Sequence, residues 1–156
     1  VREGKAGEVA AHEFGIPANG WKVIEVSSER PPWFVGKHIH DGKPLTWATE
    51  WKAGPHHFVL DLGKEVTAPG FFLTPHTDKH GNAYAPPADF SLYVGNDPEN
   101  FGEPFMTGTF DNIVNNPVRQ RVLFDQSMKA RYIKMVFLKS ADGKAPVYIR
   151  EFELMK

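Results

Sequence analysis

Apolar and polar positions alternate along this chain in short bursts punctuated by turn residues, and hardly anywhere at helical spacing. Residues 21–26 (WKVIEV) alternate almost perfectly, the signature of a strand with one buried face. Residues 57–63 (HFVLDLG) form a second strong strand that ends at Gly63-Lys64. The run at 70–74 (GFFLT) is continuously apolar, as in a strand buried on both faces. Residues 89–94 (DFSLYV) alternate again before a turn at Gly95-Asn96-Asp97-Pro98. Weaker strands are expected at 106–109 and 119–124, and strong ones at 131–137 (RYIKMVF) and 147–154 (VYIREFEL).

Eight short strands with loops of unequal length predict an all-β domain, an eight-stranded antiparallel β-sandwich of jelly-roll type rather than an even up-and-down barrel. Residues 1–19 are polar and glycine-rich, with room for one helical turn at 9–14, and read as a lead-in or linker; residues 20–156 read as the module itself. Strongly patterned first and last strands place the two ends of that module close together.

Composition narrows the function. The chain has 156 residues, 41% of them hydrophobic and 24% charged, enough for one soluble domain with a core that needs no staples. A net charge of −1 gives no pull toward nucleic acid. Without cysteine there is neither disulfide nor thiolate chemistry, and no run approaches the roughly 18 apolar residues of a membrane span. No Gly-x-Ser-x-Gly elbow and no glycine-rich phosphate loop occur. His38 with His40, His56 with His57, and His76 with His80 imitate a cupin metal set, but no glutamate follows the first pair at the required distance. A glycosidase would need two facing carboxylates, and no motif marks such a pair.

The chemistry concentrates in residues 38–51 (HIHDGKPLTWATEW). Asp41-Gly42 is a strong turn, and Pro44 keeps the segment from becoming helical. One carboxylate, the hydroxyl of Thr46 and free loop carbonyls suit a hard cation, since calcium takes six to eight oxygens. A single carboxylate is too few, and Glu151 in the closing strand is the candidate for the second.

The order of blocks then resembles a known family. Trp21-Lys22-Val23, Asp41-Gly42 with Thr46-Trp47, residues 58–63, residues 89–97, residues 130–134 and the closing Arg150-Glu151 together resemble the discoidin, or coagulation-factor type C, superfamily, whose bacterial branch is carbohydrate-binding module family 32. The resemblance spans about residues 20–155. It implies a galactose-binding-domain-like sandwich with a structural Ca2+ held by carbonyls of His38 and Lys43, by Asp41 and Thr46, and by the carbonyl of Arg150 with the carboxylate of Glu151. The absence of the disulfide usual in animal members favours the bacterial branch.

The sugar site of galactose-type members is only partly kept. Trp51 retains the aromatic, but Ala48 stands where a histidine is expected, and His76 follows Pro75 in place of an arginine. Asn82 can serve for the usual asparagine. His76, Asp78, His80, Asn82 and Tyr84 in the loop 75–88 are the candidate polar contacts, with Trp51 as the stacking platform. Trp33-Phe34 is either a second aromatic contact or a cap on the sandwich, the cap being preferred; Trp21 and Trp47 are expected in the core.

The expectation is therefore a non-catalytic module that recognises a terminal galactose, N-acetylhexosamine or fucose and targets a larger glycoside hydrolase or adhesin. Such a protein works outside the cell, in the periplasm or at the cell surface, as a monomeric unit of a multidomain chain. The rival reading is a discoidin-type module for a protein partner or a membrane lipid headgroup, for which only Trp33-Phe34 near Arg30 and Lys37 provides an apolar spike.

Overall fold

The computed structural model describes residues 15–156, and the helical turn expected at 9–14 lies outside them. Seven strands follow in order: β1 (Lys22–Val26), β2 (Trp47–Ala48), β3 (His56–Pro75), β4 (Asp89–Gly95), β5 (Met106–Thr109), β6 (Gln120–Phe137) and β7 (Tyr148–Leu154). One short 3-10 helix, Gly36–His40, precedes β2. Among the described residues no helix is long and apolar enough to cross a membrane.

Two of the strands are long because each joins two of the expected segments. In β3, the alternating residues 57–63 and the apolar run 70–74 belong to one strand that turns a corner. Gly63 sits at φ +81°, where a side chain would be strained, and pairing with β6 jumps from Asp61 to Val66. β6 joins 119–124 to 131–137 in the same way. Residues 47–48, which the hydrophobic pattern left within a loop, add the short strand β2 on β7.

The bends create the sandwich. The first arm of β3 pairs with β1 and with the second arm of β6, which carries β4 and then β5. The second arm of β3 pairs with β7 and with the first arm of β6. The two layers meet through aromatic rings: Phe58 packs edge-on against Phe152 at 5.5 Å, and Phe71 against Phe90 at 5.2 Å. Trp47 closes on Phe58 at 5.7 Å. Each of these fully buried rings contributes about 1.5–3 kcal/mol by leaving water. Trp21 and Trp47 are buried as the sequence predicts.

Strand directions sort the loops into two poles. Val26 lies beside Phe58, His56 beside Phe137, Ala48 beside Tyr148 and Pro75 beside Ile149. Loops 27–46, 49–55, 76–88 and 138–147 consequently emerge together. At the opposite pole Gly15 bridges Met155, and the Ile16 amide donates to the Leu154 carbonyl at 2.8 Å. The described part of the lead-in thus packs on the sandwich, with Ile16 and Ala18 against the core.

Candidate functional site

Beside β7 the structure brings the two predicted carboxylates together. The 3-10 turn delivers Asp41 to the start of Gly42, whose amide donates to Glu151 Oε2 at 3.1 Å. Asp41 Oδ1 accepts the Lys43 amide at 3.0 Å, and its Oδ2 pairs with His38 Nδ1 at 2.6 Å. Glu151 is only 4% exposed, and its Oε1 is buried with no hydrogen-bond partner. Burial, reinforced by the neighbouring charges of Glu153 and Asp41 and opposed by the Gly42 amide and Arg119, raises the Glu151 pKa to about 9. Thr46 is buried nearby, but its hydroxyl meets His76 Nδ1 at 2.8 Å. Among the described residues no three His, Cys, Asp or Glu side chains converge. An ion at this corner would therefore need backbone oxygens as well as the two carboxylates.

A second cluster lies at the loop pole, around Tyr148 at the head of β7. Tyr148 packs with Ala48 and Ala85, and Phe34 and Tyr84 cover them. The Tyr84 and Tyr148 rings meet edge-on at 4.8 Å, and His76 lies 5.3 Å from Tyr148. The Arg30 guanidinium stands 4.9 Å from the centroids of both Phe34 and Tyr148, and its Nη2 donates to the Tyr148 hydroxyl. Lys144 Nζ lies 4.7 Å over Tyr84, with Asp142 beside it at 3.1 Å. Arg150, on the next turn of the pleat from Ile149, sends Nη2 to His76 Nδ1 at 3.2 Å and to the Thr77 carbonyl at 3.3 Å. Burial and the Arg150 charge bring the His76 pKa down to about 4, so its imidazole is neutral at physiological pH.

The loop 75–88 is a small hairpin whose tip is built by Asp78. Its Oδ1 accepts the amides of His80 and Asn82 at 2.8 and 3.0 Å, and Gly81 takes φ +80° between them. Asp78 is thus occupied in shaping the turn, while His80 and Asn82 stand exposed on it. At the hairpin's base the Tyr84 amide donates to the His76 carbonyl, which places these two side chains together.

Trp51, in loop 49–55, is 55% exposed and presents its indole to solvent. Trp33 is 74% exposed at the tip of a hairpin closed by paired amides of Arg30 and Phe34. The expected cap on the sandwich is accordingly corrected: Phe34 turns inward onto Tyr148, and alternation across so tight a hairpin leaves Trp33 outside. Of the seven predicted ligand-site residues, the structure unites His76 with Tyr84, puts Asp78, His80 and Asn82 on the adjoining tip, and sets Trp51 and Trp33 on neighbouring loops of the same pole. Sequence reasoning gave no ligand-site role to Lys144 or Tyr148, and it named Phe34 only as an aromatic contact or cap and Arg30 only as a cation near it. The signal available for Tyr148 was two alanines, at positions 48 and 85, whose lack of bulk leaves room for large rings.

An all-β sandwich with a carboxylate pair at its flank and a ring-lined loop pole places the chain among small β-sandwich domains. The chain belongs to the F5/8 type C domain family, whose model matches residues 23–152. Its fold is similar to the family 32 carbohydrate-binding module of Clostridium perfringens NanJ solved with galactose, at 22% identity and a TM-score of 0.76, covering 92% of this chain and 98% of that one. It is similar also to a C. perfringens family 32 module in complex with GalNAc-β-1,3-galactose (23% identity, TM-score 0.77, 91% and 99% covered). The chitosan-binding module 1 of a Paenibacillus chitosanase/glucanase shares the fold at 20% identity and a TM-score of 0.70, covering 93% and 100%. Among curated proteins no sequence matches.

Proposed function

We propose that this chain is a non-catalytic carbohydrate-binding module that takes the end of a glycan at the pole formed by loops 27–46, 49–55, 76–88 and 138–147. The observation that carries the reading is Trp51, an indole 55% exposed on a pole already crowded with ring and hydrogen-bonding side chains. An apolar indole face in water is unfavourable unless something covers it, and the C–H face of a pyranose is shaped to do so. Family membership and the sugars named for structurally similar modules support the same reading. The ligand class is a terminal hexose or a derivative, of galactose, N-acetylhexosamine or fucose type. The module would hold a larger extracellular or surface-bound glycoside hydrolase or adhesin near its substrate by raising local concentration. A glycan array followed by calorimetry tests this: the wild type binds, and Trp51→Ala loses binding while melting unchanged. Equal affinity in the variant overturns the assignment.

A structural Ca2+ fits the flank. Asp41 and Glu151 supply charge, Thr46 a hydroxyl, and His38, Lys43 and Arg150 backbone oxygens. The buried, partnerless Glu151 Oε1 is the kind of atom that a cation would satisfy. When bound, the ion would tie the loop around Asp41 to β7.

Exposure of Trp33, Trp51 and Leu138 on one pole, with Lys52 and Lys139 next in sequence to the last two, favours a lipid headgroup as the second reading. Co-sedimentation with anionic liposomes, together with a blank glycan array, would select it.

A further inference from the structure

We infer that the sugar recognised here carries a carboxylate: the ligand is an acidic sugar rather than a neutral one. The inference rests on the glycan-binding reading and replaces the neutral sugars named there with an acidic one at the same pole. Arg30 is its centre. This guanidinium is half-buried between the Phe34 and Tyr148 rings, and no carboxylate of the described residues pairs with it. Its Nε is buried without an acceptor. Arginine held between rings and hydrogen-bonded to a tyrosine hydroxyl is fixed in orientation, so little conformational freedom remains to be lost when an anion arrives. A partly desolvated cation without a counter-ion is costly for the free protein, and an incoming carboxylate relieves that cost through paired N–H···O bonds.

The surroundings repeat the sign. Lys144 lies over Tyr84, in ring contact with Tyr148, and the Arg150 guanidinium reaches His76 on another side of the same ring cluster. Against these three cations stands Asp142, which also accepts the amides of Ala85 at 2.8 Å and Lys144 at 3.2 Å. Asp78 is engaged in its own turn. Glu29 accepts the Gly36 amide at 2.8 Å, and Glu50 pairs with Lys52 at 3.4 Å. The pole therefore offers fixed positive charge over aromatic faces. A hexuronate or a sialic acid presents the complement, a C–H face with a planar anion at its edge.

The test uses matched pairs that differ only in charge: galacturonate against galactose, and sialyllactose against lactose, titrated calorimetrically into the whole chain. At least one acidic member is expected to bind tenfold or more tightly than its neutral partner, and raised salt should erode that preference. Preference within the first pair identifies a hexuronate, and within the second a sialic acid. Arg30→Gln should abolish the preference, with an unchanged melting temperature confirming the fold; Lys144→Gln should reduce it several-fold. Neutral sugars bound as well as their acidic partners, or a preference that survives Arg30→Gln, would overturn the inference and leave the glycan-binding reading intact. No binding to either member of either pair and a blank array would overturn both.

Discussion

Glu151 allows the proposed calcium to be tested by a substitution with two opposite effects. In the metal-free protein its pKa is about 9 against 4.5 for the free side chain. The folded state thus keeps a proton that the unfolded chain releases above pH 4.5. The corresponding stability is fully present below that pH and is lost progressively as pH rises toward 9. By pH 7 the loss amounts to about 3 kcal/mol. A Ca2+ ion at the corner would displace that proton, and at a hundred times its dissociation constant it would return about 2.7 kcal/mol. For a domain of this size that is a rise in Tm of roughly 5–10 °C. Glu151→Gln keeps the shape and removes the charge. The variant should therefore melt higher than wild type in chelator at pH 8, match it near pH 5, and gain nothing from calcium. Differential scanning calorimetry from pH 5 to 8, in EDTA and in millimolar CaCl2, reads all three. A wild-type Tm indifferent to calcium at every pH would refute the ion, and flat metal-free stability between pH 5 and 8 would refute the buried proton.

Other outcomes follow from packing. Ala48→His, which restores the histidine expected of galactose-type members, should not confer galactose binding and should cost about 1–3 kcal/mol, because Tyr148, Phe34 and Tyr84 already fill that space; denaturant melts with a galactose titration decide it. Phe58→Ala should cost about 3–5 kcal/mol in the same melts, since this ring touches Phe137 in its own layer and Trp47 and Phe152 across the core. Gly70→Ala should destabilise by about 1–3 kcal/mol, because an added Cβ would collide with the Val122 carbonyl and come within 2.9 Å of Met155 Sδ; a variant as stable as wild type would contradict the register of β3 on β6.

The sheet was legible because buried strands leave a period of two, and 57–63, 89–94 and 131–137 carry it plainly. Where strands end was less so. Gly63-Lys64 has the composition of a turn, yet a bulge with positive φ lets the same strand continue into the other layer. β2 escaped notice because two residues cannot show a period. The carboxylate pair was legible from chemistry, since one acid in an oxygen-rich loop calls for another, and the structure sets Glu151 against the Asp41-Gly42 turn. The ring cluster left no comparable trace. Arg30 and Tyr148 lie 118 positions apart, and alternation marks Tyr148 simply as a buried strand residue. Trp33 and Phe34 are adjacent and equally apolar, and only the hairpin closed at Arg30 decides which of them faces water.

The corner-turning strands also govern how the chain must fold. β3 meets β6 from His56 with Phe137 to Leu73 with Gln120, interrupted by shifts after Asp61 and Ala68, so the longest pairing among the described residues joins distant parts of the sequence. Loop closure on that scale precedes any reward from pairing, which makes folding slow. The last strand is no edge either: β7 lies between β2 and β3, and without it β2 has no partner while the second arm of β3 keeps β6 alone. During synthesis the Phe71-Phe72-Leu73 run must therefore wait for partners on both sides, first the start of β6 and then β7.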